Sequence, residues 1–195
     1  MKENPITIGF DDAKFKFRSQ SKTTQLIGVV CQGVRMVKVG KKEIFIDGND
    51  ATEKIIELIN INEKHVQYVM THTITFGGFN LVDLEKIYNE TGKPIIAITD
   101  REVDLEMVKI ALIKKFPDDY KTKLQHILSA GNLYEINIET AGGLANIYFH
   151  SKGIEIVEIE NLLKKTCIDS KLPECIRLAH MIGKLFWKMY IGTLF

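Results

Sequence analysis

The apolar positions of this chain fall into two patterns. Short runs bounded by turn residues occupy 6–10, 25–32, 66–73, 95–98, 134–138 and 145–149, and predict strands. A further stretch, 34–47, alternates through Val34, Met36, Ile44 and Ile46. It predicts a third strand or a hairpin, with Gly40-Lys41-Lys42 as its turn or bulge. Elsewhere apolar residues recur at helical spacing: Ile55, Ile56, Leu58 and Ile59, a stretch over about 79–90, and Leu105, Val108, Ile110, Leu112 and Ile113. Pro117 ends that third helix, a continuation runs to Ser129, and 155–167 and the segment opened by Pro173 complete the set. Local chemistry agrees with these boundaries. Asp50 can cap the first helix with Glu53 three residues on, and Asn80 can cap the second with Asp83 in the same relation. Thr91-Gly92-Lys93-Pro94 reads as a stop, and Pro173 occupies a first-turn position where its missing N–H has no helical partner.

Three strands in succession imply an antiparallel meander, and the strand–helix–strand alternation that follows implies right-handed parallel crossovers. A mixed five-stranded sheet flanked by helices satisfies both. This is the α/β, ribonuclease H-like plan, expected to span 1–195 as one domain. In that plan the first strand lies centrally, beside 66–73.

The segment VQYVMTHTITFGGFNLVD, 66–83, organises the rest. Its apolar run suits a strand buried on both faces. Thr71, His72 and Thr73 follow as a polar tip, Gly77 and Gly78 turn the chain, and Asn80 is expected to open a helix. Together these describe the crevice at the carboxyl end of an open α/β sheet, where such folds bind ligands. Backbone N–H groups of a helix start after Gly78 would be on offer to a phosphate.

Composition narrows the function classes. With 195 residues, 45% hydrophobic and 26% charged, the chain has the make-up of a globular domain. A net charge of +1 produces no global field for nucleic acid or anionic membrane. Lys14, Lys16, Arg18 and Lys22, followed by Lys38, Lys41 and Lys42, form either solvated loops or a local phosphate-contacting patch. No apolar run reaches the roughly 18 residues of a membrane span, and no secretory h-region precedes the first strand, so no membrane association is expected. Cys31, Cys167 and Cys175 form no CxxC, which suggests reduced thiols and a cytoplasmic location. No P-loop, GxGxxG, HExxH or GxSxG occurs.

Chemistry then concentrates where strands end. Asp11-Asp12 closes the first strand, and one or both would stand near His72. Converging carboxylates suit a hard divalent ion such as Mg²⁺, and Asp47 and Asp50 are further carboxylates within reach. Alternatively Asp11-Asp12 is turn chemistry and Asp50 a helix cap. His72 would favour Zn²⁺ or Mn²⁺ over Mg²⁺ if it ligates. In the last helix, Arg177 and His180 share a face, and Glu174 can pair with Arg177. The apolar run Leu185, Phe186, Trp187, Met189, Tyr190, Leu194, Phe195 either packs on the chain's own sheet or meets a second copy in a homodimer.

Four segments in order, IGFDDAKF (8–15), IFIDGNDATE (44–53), ITFGGFNLVD (74–83) and LPECIRLAHMIG (172–183), resemble the mainly archaeal DUF99 family, also called UPF0215. That family is similar in turn to endonuclease V, an enzyme of ribonuclease H-like fold that cuts nucleic acid near deaminated adenine with Mg²⁺ or Mn²⁺. The resemblance implies that Asp11 or Asp12 matches the first metal aspartate, that Asp47 or Asp50 lies near the second carboxylate, and that His180 matches a late-helix histidine beside the metal. It also departs: the family pattern reads Asp-Gly where this chain has His72-Thr73, and the strand-parting proline-tyrosine wedge is missing. The implied expectations are a nucleic-acid-binding relative of endonuclease V with a depleted metal site, a Mg²⁺- or Mn²⁺-dependent endonuclease acting on DNA or RNA, or a non-catalytic scaffold. Asp11, Asp12, His72 and His180 would carry chemistry; Lys14, Gly77, Gly78, Asn80 and Arg177 would contact nucleic acid.

Overall fold

A computed structural model describes residues 2–15, 21–62, 64–99, 102–141 and 143–190, the side chains of 187–190 excepted. The predicted meander is β1 (Ile6–Asp12), β2 (Thr23–Gln32) and β3 (Arg35–Phe45), followed by α1 (Ala51–Asn60) and β4 (Tyr68–His72). A short hairpin, β5 (Thr75–Phe76) with β6 (Asn80–Leu81), precedes α2 (Leu84–Thr91) and β7 (Ile95–Thr99). Helices α3 (Leu105–Lys115) and α4 (Tyr120–Ser129) lead to β8 (Tyr134–Thr140), β9 (Gly143–Lys152), α5 (Ile156–Thr166) and α6 (Glu174–Tyr190). The main sheet has the order β3-β2-β1-β4-β7-β9-β8. β1, β4 and β7 are parallel, and the others antiparallel to their neighbours.

The mixed α/β plan and the central place of β1 beside β4 are as the element order predicted. The sheet is larger than the five strands expected, because β9 pairs antiparallel with β7 and brings β8 with it, making seven. Two faces of this sheet are buried, by the period-two alternation of its strands. Ile8, Phe10, Leu26 and Val69 pack with Ile55 and Ile59 of α1 and Ile87 of α2. Ile27, Val29, Met70 and Ile96 face Ile159 and Leu162 of α5 and Ile176 and Ala179 of α6. A smaller cluster, Leu81 with Leu112 and Ile127, fastens α3 and α4 to the hairpin.

Three local expectations are corrected. Gly40-Lys41-Lys42 makes no turn: β3 runs straight through it, Gly40 opposite Gly28, and the irregularity lies in the β2–β3 pairing at Val30/Cys31. A Cβ at Gly40 would stand 2.9 Å from Leu58 Cδ2, so this glycine makes room for α1. The second helix starts at Leu84, not near 79, since residues 79–81 fold back on Thr75 and Phe76. Its cap is Asp83, whose Oδ1 accepts the Lys86 N–H.

Asp50 does occupy the N-cap position of α1 but makes no side-chain cap bond. Its Oδ1 accepts instead from Phe45 N–H at 3.1 Å and from Asn80 Nδ2 at 2.7 Å. The open N–H of Ala51 donates to Asn80 Oδ1 at 3.0 Å. Asn80 is therefore a structural clasp between hairpin, β3 and α1, fully buried, with Nδ2 also donating to Phe45 O.

Asn80→Ala is expected to cost about 2–4 kcal/mol, since it strands buried polar partners on three segments. Urea denaturation checks this, and a loss under about 1 kcal/mol would mean the clasp is not needed.

Candidate metal centre

The site is built by one close approach. At Gly9, a Cβ would lie 2.5 Å from the backbone carbon of Cys175 and 2.6 Å from the nitrogen of Ile176. Only glycine allows α6 to rest directly on β1. At Gly183 a Cβ would lie 3.0 Å from Asp12 O and 3.2 Å from Ala13 Cα, so the helix still lies against the end of the strand two turns on. From Ile176 to His180 the helix rises about 6 Å, and from Gly9 to Asp11 the strand advances about 6.6 Å. The two side chains meet: His180 Nδ1 is 2.6 Å from Asp11 Oδ2.

β4 completes the group. Its parallel register sets Gly9 opposite Met70 and Phe10 opposite Thr71, so Asp11 neighbours His72. Tyr68 and Met70 belong to the α6-side cluster, and alternation carries His72 to the same side. His72 Nδ1 lies 3.4 Å from the same Asp11 oxygen. The imidazoles meet edge to face, 5.9 Å between centroids. One donor atom from each of Asp11, His72 and His180 falls within 4.8 Å of the others. Asp11 is buried, and the two histidines are half-buried.

The same alternation separates Asp12 from Asp11. Asp12 points to the hairpin side, where its Oδ2 accepts the Gly77 N–H at 2.9 Å. Burial, with Asp11 beside it, raises its carboxyl to about 6, against the opposing pull of the Gly77 N–H. Gly77 in turn offers its carbonyl to Asp47 N–H at 2.7 Å. Asp47 thus lies across Gly77 from Asp12. Its carboxylate is engaged by Lys115 at 2.6 Å and by Phe79 N–H at 2.9 Å. Lys123, buried, donates to Asn49 Oδ1 and to the Phe79 carbonyl, lashing this loop to α4. Neither Asp47 nor Asp50 belongs to the three-donor group.

Two backbone outliers flank the centre. Asp47 has φ 59° and Thr73 φ 67°. For a β-branched residue the left-handed region costs on the order of 1–2 kcal/mol. Thr73 Oγ1 receives the Thr75 N–H at 3.1 Å, and Thr73 N–H binds Ile98 O, so the strained tip is held from two sides.

The expected nucleic-acid contacts are placed differently from one another. Gly77 and Gly78 form a hairpin tip and open no helix, and the amides of Gly77 and Phe79 are already given to Asp12 and Asp47. The anticipated helix N-terminus after Gly78 is therefore absent, because the chain turns back into β6. Asn80 is buried. Arg177 forms two bonds to Glu174, at 2.8 and 2.6 Å, as the i,i+3 spacing predicted, and also lies 3.6 Å from Asp169. Lys14 is exposed just beyond β1. Lys16 and Arg18 lie outside the described residues, as do Leu194 and Phe195 and the side chains of Trp187, Met189 and Tyr190. All three cysteines are free and buried, and no described helix is long and apolar enough to cross a membrane.

Sequence reasoning missed Lys115, Lys123 and an apolar cavity of about 340 Å³ next to the strained tip. Thr73, Ile74, Phe79, Val103, Ile127 and His150 are among its walls. Nothing in the sequence separated these two lysines from solvated ones on α3 and α4.

Comparison with known proteins gives a consistent set. A family model described as Endonuclease dU matches residues 6–186. A UPF0215 protein of Pyrococcus horikoshii is 35% identical over 185 residues, covering 94% of this chain and 92% of its own. One from Methanocaldococcus jannaschii is 36% identical over 190 residues, covering 95% and 96%. Among solved structures, a protein of unknown function from Archaeoglobus fulgidus superposes with TM-score 0.80 at 28% identity, over 93% of this chain and 98% of that one. Ciona intestinalis Endonuclease V, in complex with an inosine-containing 24mer DNA, gives TM-score 0.60 at 13% identity, over 96% and 87%. The last of these is a likeness of fold.

Two outcomes test this construction. Gly9→Ala is expected to destabilise the protein by about 2 kcal/mol or more, because backbone, not a flexible side chain, occupies the space. Wild-type stability by denaturant melt would overturn the close packing of α6. For Asp12, burial beside Asp11 lets the folded state keep its proton to about pH 6, above the ordinary range of an aspartate in an unfolded chain. The folded state therefore binds more protons in that window, and the metal-free protein loses stability as pH rises through it. Asp12→Asn keeps an acceptor for Gly77 and is expected to gain about 1–3 kcal/mol at pH 7 and nothing at pH 4.

Proposed function

Since the chain belongs to the Endonuclease dU family and is 35% identical to a UPF0215 protein, we propose that it is a metal-dependent phosphodiester hydrolase acting on nucleic acid. The observation that carries this reading is the convergence of Asp11, His72 and His180 on one point at the carboxyl ends of β1 and β4. The donor set fits a divalent ion: one carboxylate oxygen and two imidazole nitrogens, all held on regular elements. A divalent ion bound there would supply Lewis-acid polarisation of a phosphate and a water of lowered pKa.

The chain's own groups do the rest. Asp11 Oδ2 holds the His180 ring through Nδ1 at 2.6 Å and has His72 Nδ1 at 3.4 Å, and α6 and β4 carry the two rings to it. Asp12, pinned to Gly77, holds the hairpin at the mouth of the site. Exposed Lys14 next to the strand end, with Lys22 nearby in sequence, offers charge to the backbone of a bound strand. The cavity beside Thr73 is large enough for one extruded base, with Phe79 as an apolar wall. His150 on that wall holds its Nδ1 against the carbonyls of Gly131 and Asn132, each at 3.1 Å, which leaves Nε2 for one hydrogen bond to a base edge. The names of the family and its structural relatives point to deoxyuridine or inosine as the base to try first.

A second reading, binding without cleavage, is favoured by one observation: the Asp47 carboxylate is bound to Lys115 and does not join the three-donor group.

Labelled single- and double-stranded oligonucleotides, each carrying one deoxyuridine, one inosine or neither, separate the two. With Mn²⁺ present, strand scission near the modified base is expected, reduced at least about 100-fold in Asp11→Asn and His180→Ala. Salt-sensitive binding with no scission under any divalent ion would leave only the second reading. Absence of both would remove nucleic acid as the target.

A further inference from the structure

The geometry points to a site selective for a borderline transition ion, Zn²⁺ or Co²⁺, over Mg²⁺. The inference rests on the metal part of the reading above and names the class of ion. Two of three converging donors are imidazole nitrogens, Nδ1 of both rings facing the same Asp11 oxygen. Mg²⁺ needs near-octahedral oxygen ligands and binds imidazole poorly, whereas Zn²⁺ and Co²⁺ accept nitrogen readily. The carboxylates that could have completed an oxygen cage are committed elsewhere. Asp12 turns to the other face of β1 and holds Gly77 N–H, Asp47 holds Lys115, and Asp50 holds Phe45 N–H and Asn80. Among the described residues, therefore, Mg²⁺ would find one protein oxygen in the group, and a zinc-like ion would find three ligands. Two nitrogens and one oxygen with a position left for water is a pattern of catalytic zinc sites. His72 is the deciding residue, since replacing its nitrogen by a carboxylate oxygen restores the balance toward a hard ion.

Metal-stripped full-length protein would be titrated calorimetrically with Zn²⁺, Co²⁺ and Mg²⁺, with Co²⁺ also followed by its visible ligand-field bands. Zn²⁺ is expected to bind at least roughly 100-fold more tightly than Mg²⁺, with Co²⁺ bands showing nitrogen ligation. In His72→Asp that ratio should move at least about tenfold toward Mg²⁺. His180→Ala, on a half-buried helix position, serves as second variant and should weaken Zn²⁺ at least about tenfold whether or not His72→Asp folds. Equal affinity for Mg²⁺ and Zn²⁺, no binding of either, or Zn²⁺ affinity unchanged in the variants would each overturn the inference. Zinc bound with no strand scission under any divalent ion would sink the hydrolase reading and leave the selectivity standing. Scission with Mg²⁺ alone and no zinc preference would do the reverse.

Discussion

Everything at the site depends on a helix backbone lying directly on a strand. Helices normally stand about 10 Å from a sheet, separated by two layers of side chains. Here Gly9 removes one layer at the start of α6, and Gly183 keeps the contact close two turns later. The consequence is chemical as much as steric. A short imidazole on α6 can reach a buried carboxylate on β1, which a helix at ordinary distance could not offer. The same approach buries Cys175, Ile176 and Ala179 against the sheet and ties the last helix to the first strand. Burial there also pushes the Cys175 thiol up to about 12, so it stays protonated and unreactive.

The other half of the site is a polar web laid over the small apolar cluster of Leu81, Leu112 and Ile127. Asp12, Gly77, Asp47 and Lys115 form a chain of contacts from β1 through the hairpin to α3, and Lys123 fastens the Asp47 loop to α4. Such a web locks in place two residues at positive φ, Asp47 and Thr73, which sit on either side of the crevice. Strain of this kind persists only where surroundings over-determine the backbone. Asp12 adds its own destabilisation, a carboxyl next to Asp11 in a buried place. Both costs fall beside the point where Asp11, His72 and His180 converge.

Much of this was legible beforehand, for identifiable reasons. Strands and helices announce themselves through periods of 2 and 3.6, so the meander, the crossovers and the adjacency of β1 and β4 followed from spacing. Asp11-Asp12 and His72 could be placed near one another because both end central strands. The Arg177–Glu174 pair is a property of helical spacing alone. The resemblance in four segments added His180, which helical periodicity could set beside Arg177 but could not aim at Asp11. Where the reading failed, tertiary contacts overrode a sound local rule. Asn80 is a good helix cap by type, yet its side chain caps a different helix 29 positions away in sequence. Gly40 looks like a turn residue, yet it is there so that Leu58 can fit.

The sequence by itself determined most element types, the β5–β6 hairpin excepted, with the sheet's central order and the kinds of donor available at its carboxyl edge, because these depend on local period and composition. Which of two adjacent aspartates joins two histidines, and which carboxylates are withheld from them, was decided only by tertiary structure. Side-chain direction along a strand alternates every residue, so a shift of one position exchanges Asp11 for Asp12. The register that settles it is imposed by Met70 opposite Gly9 and by α6 against Gly9, contacts between parts of the chain 61 and more residues apart. No local pattern encodes them.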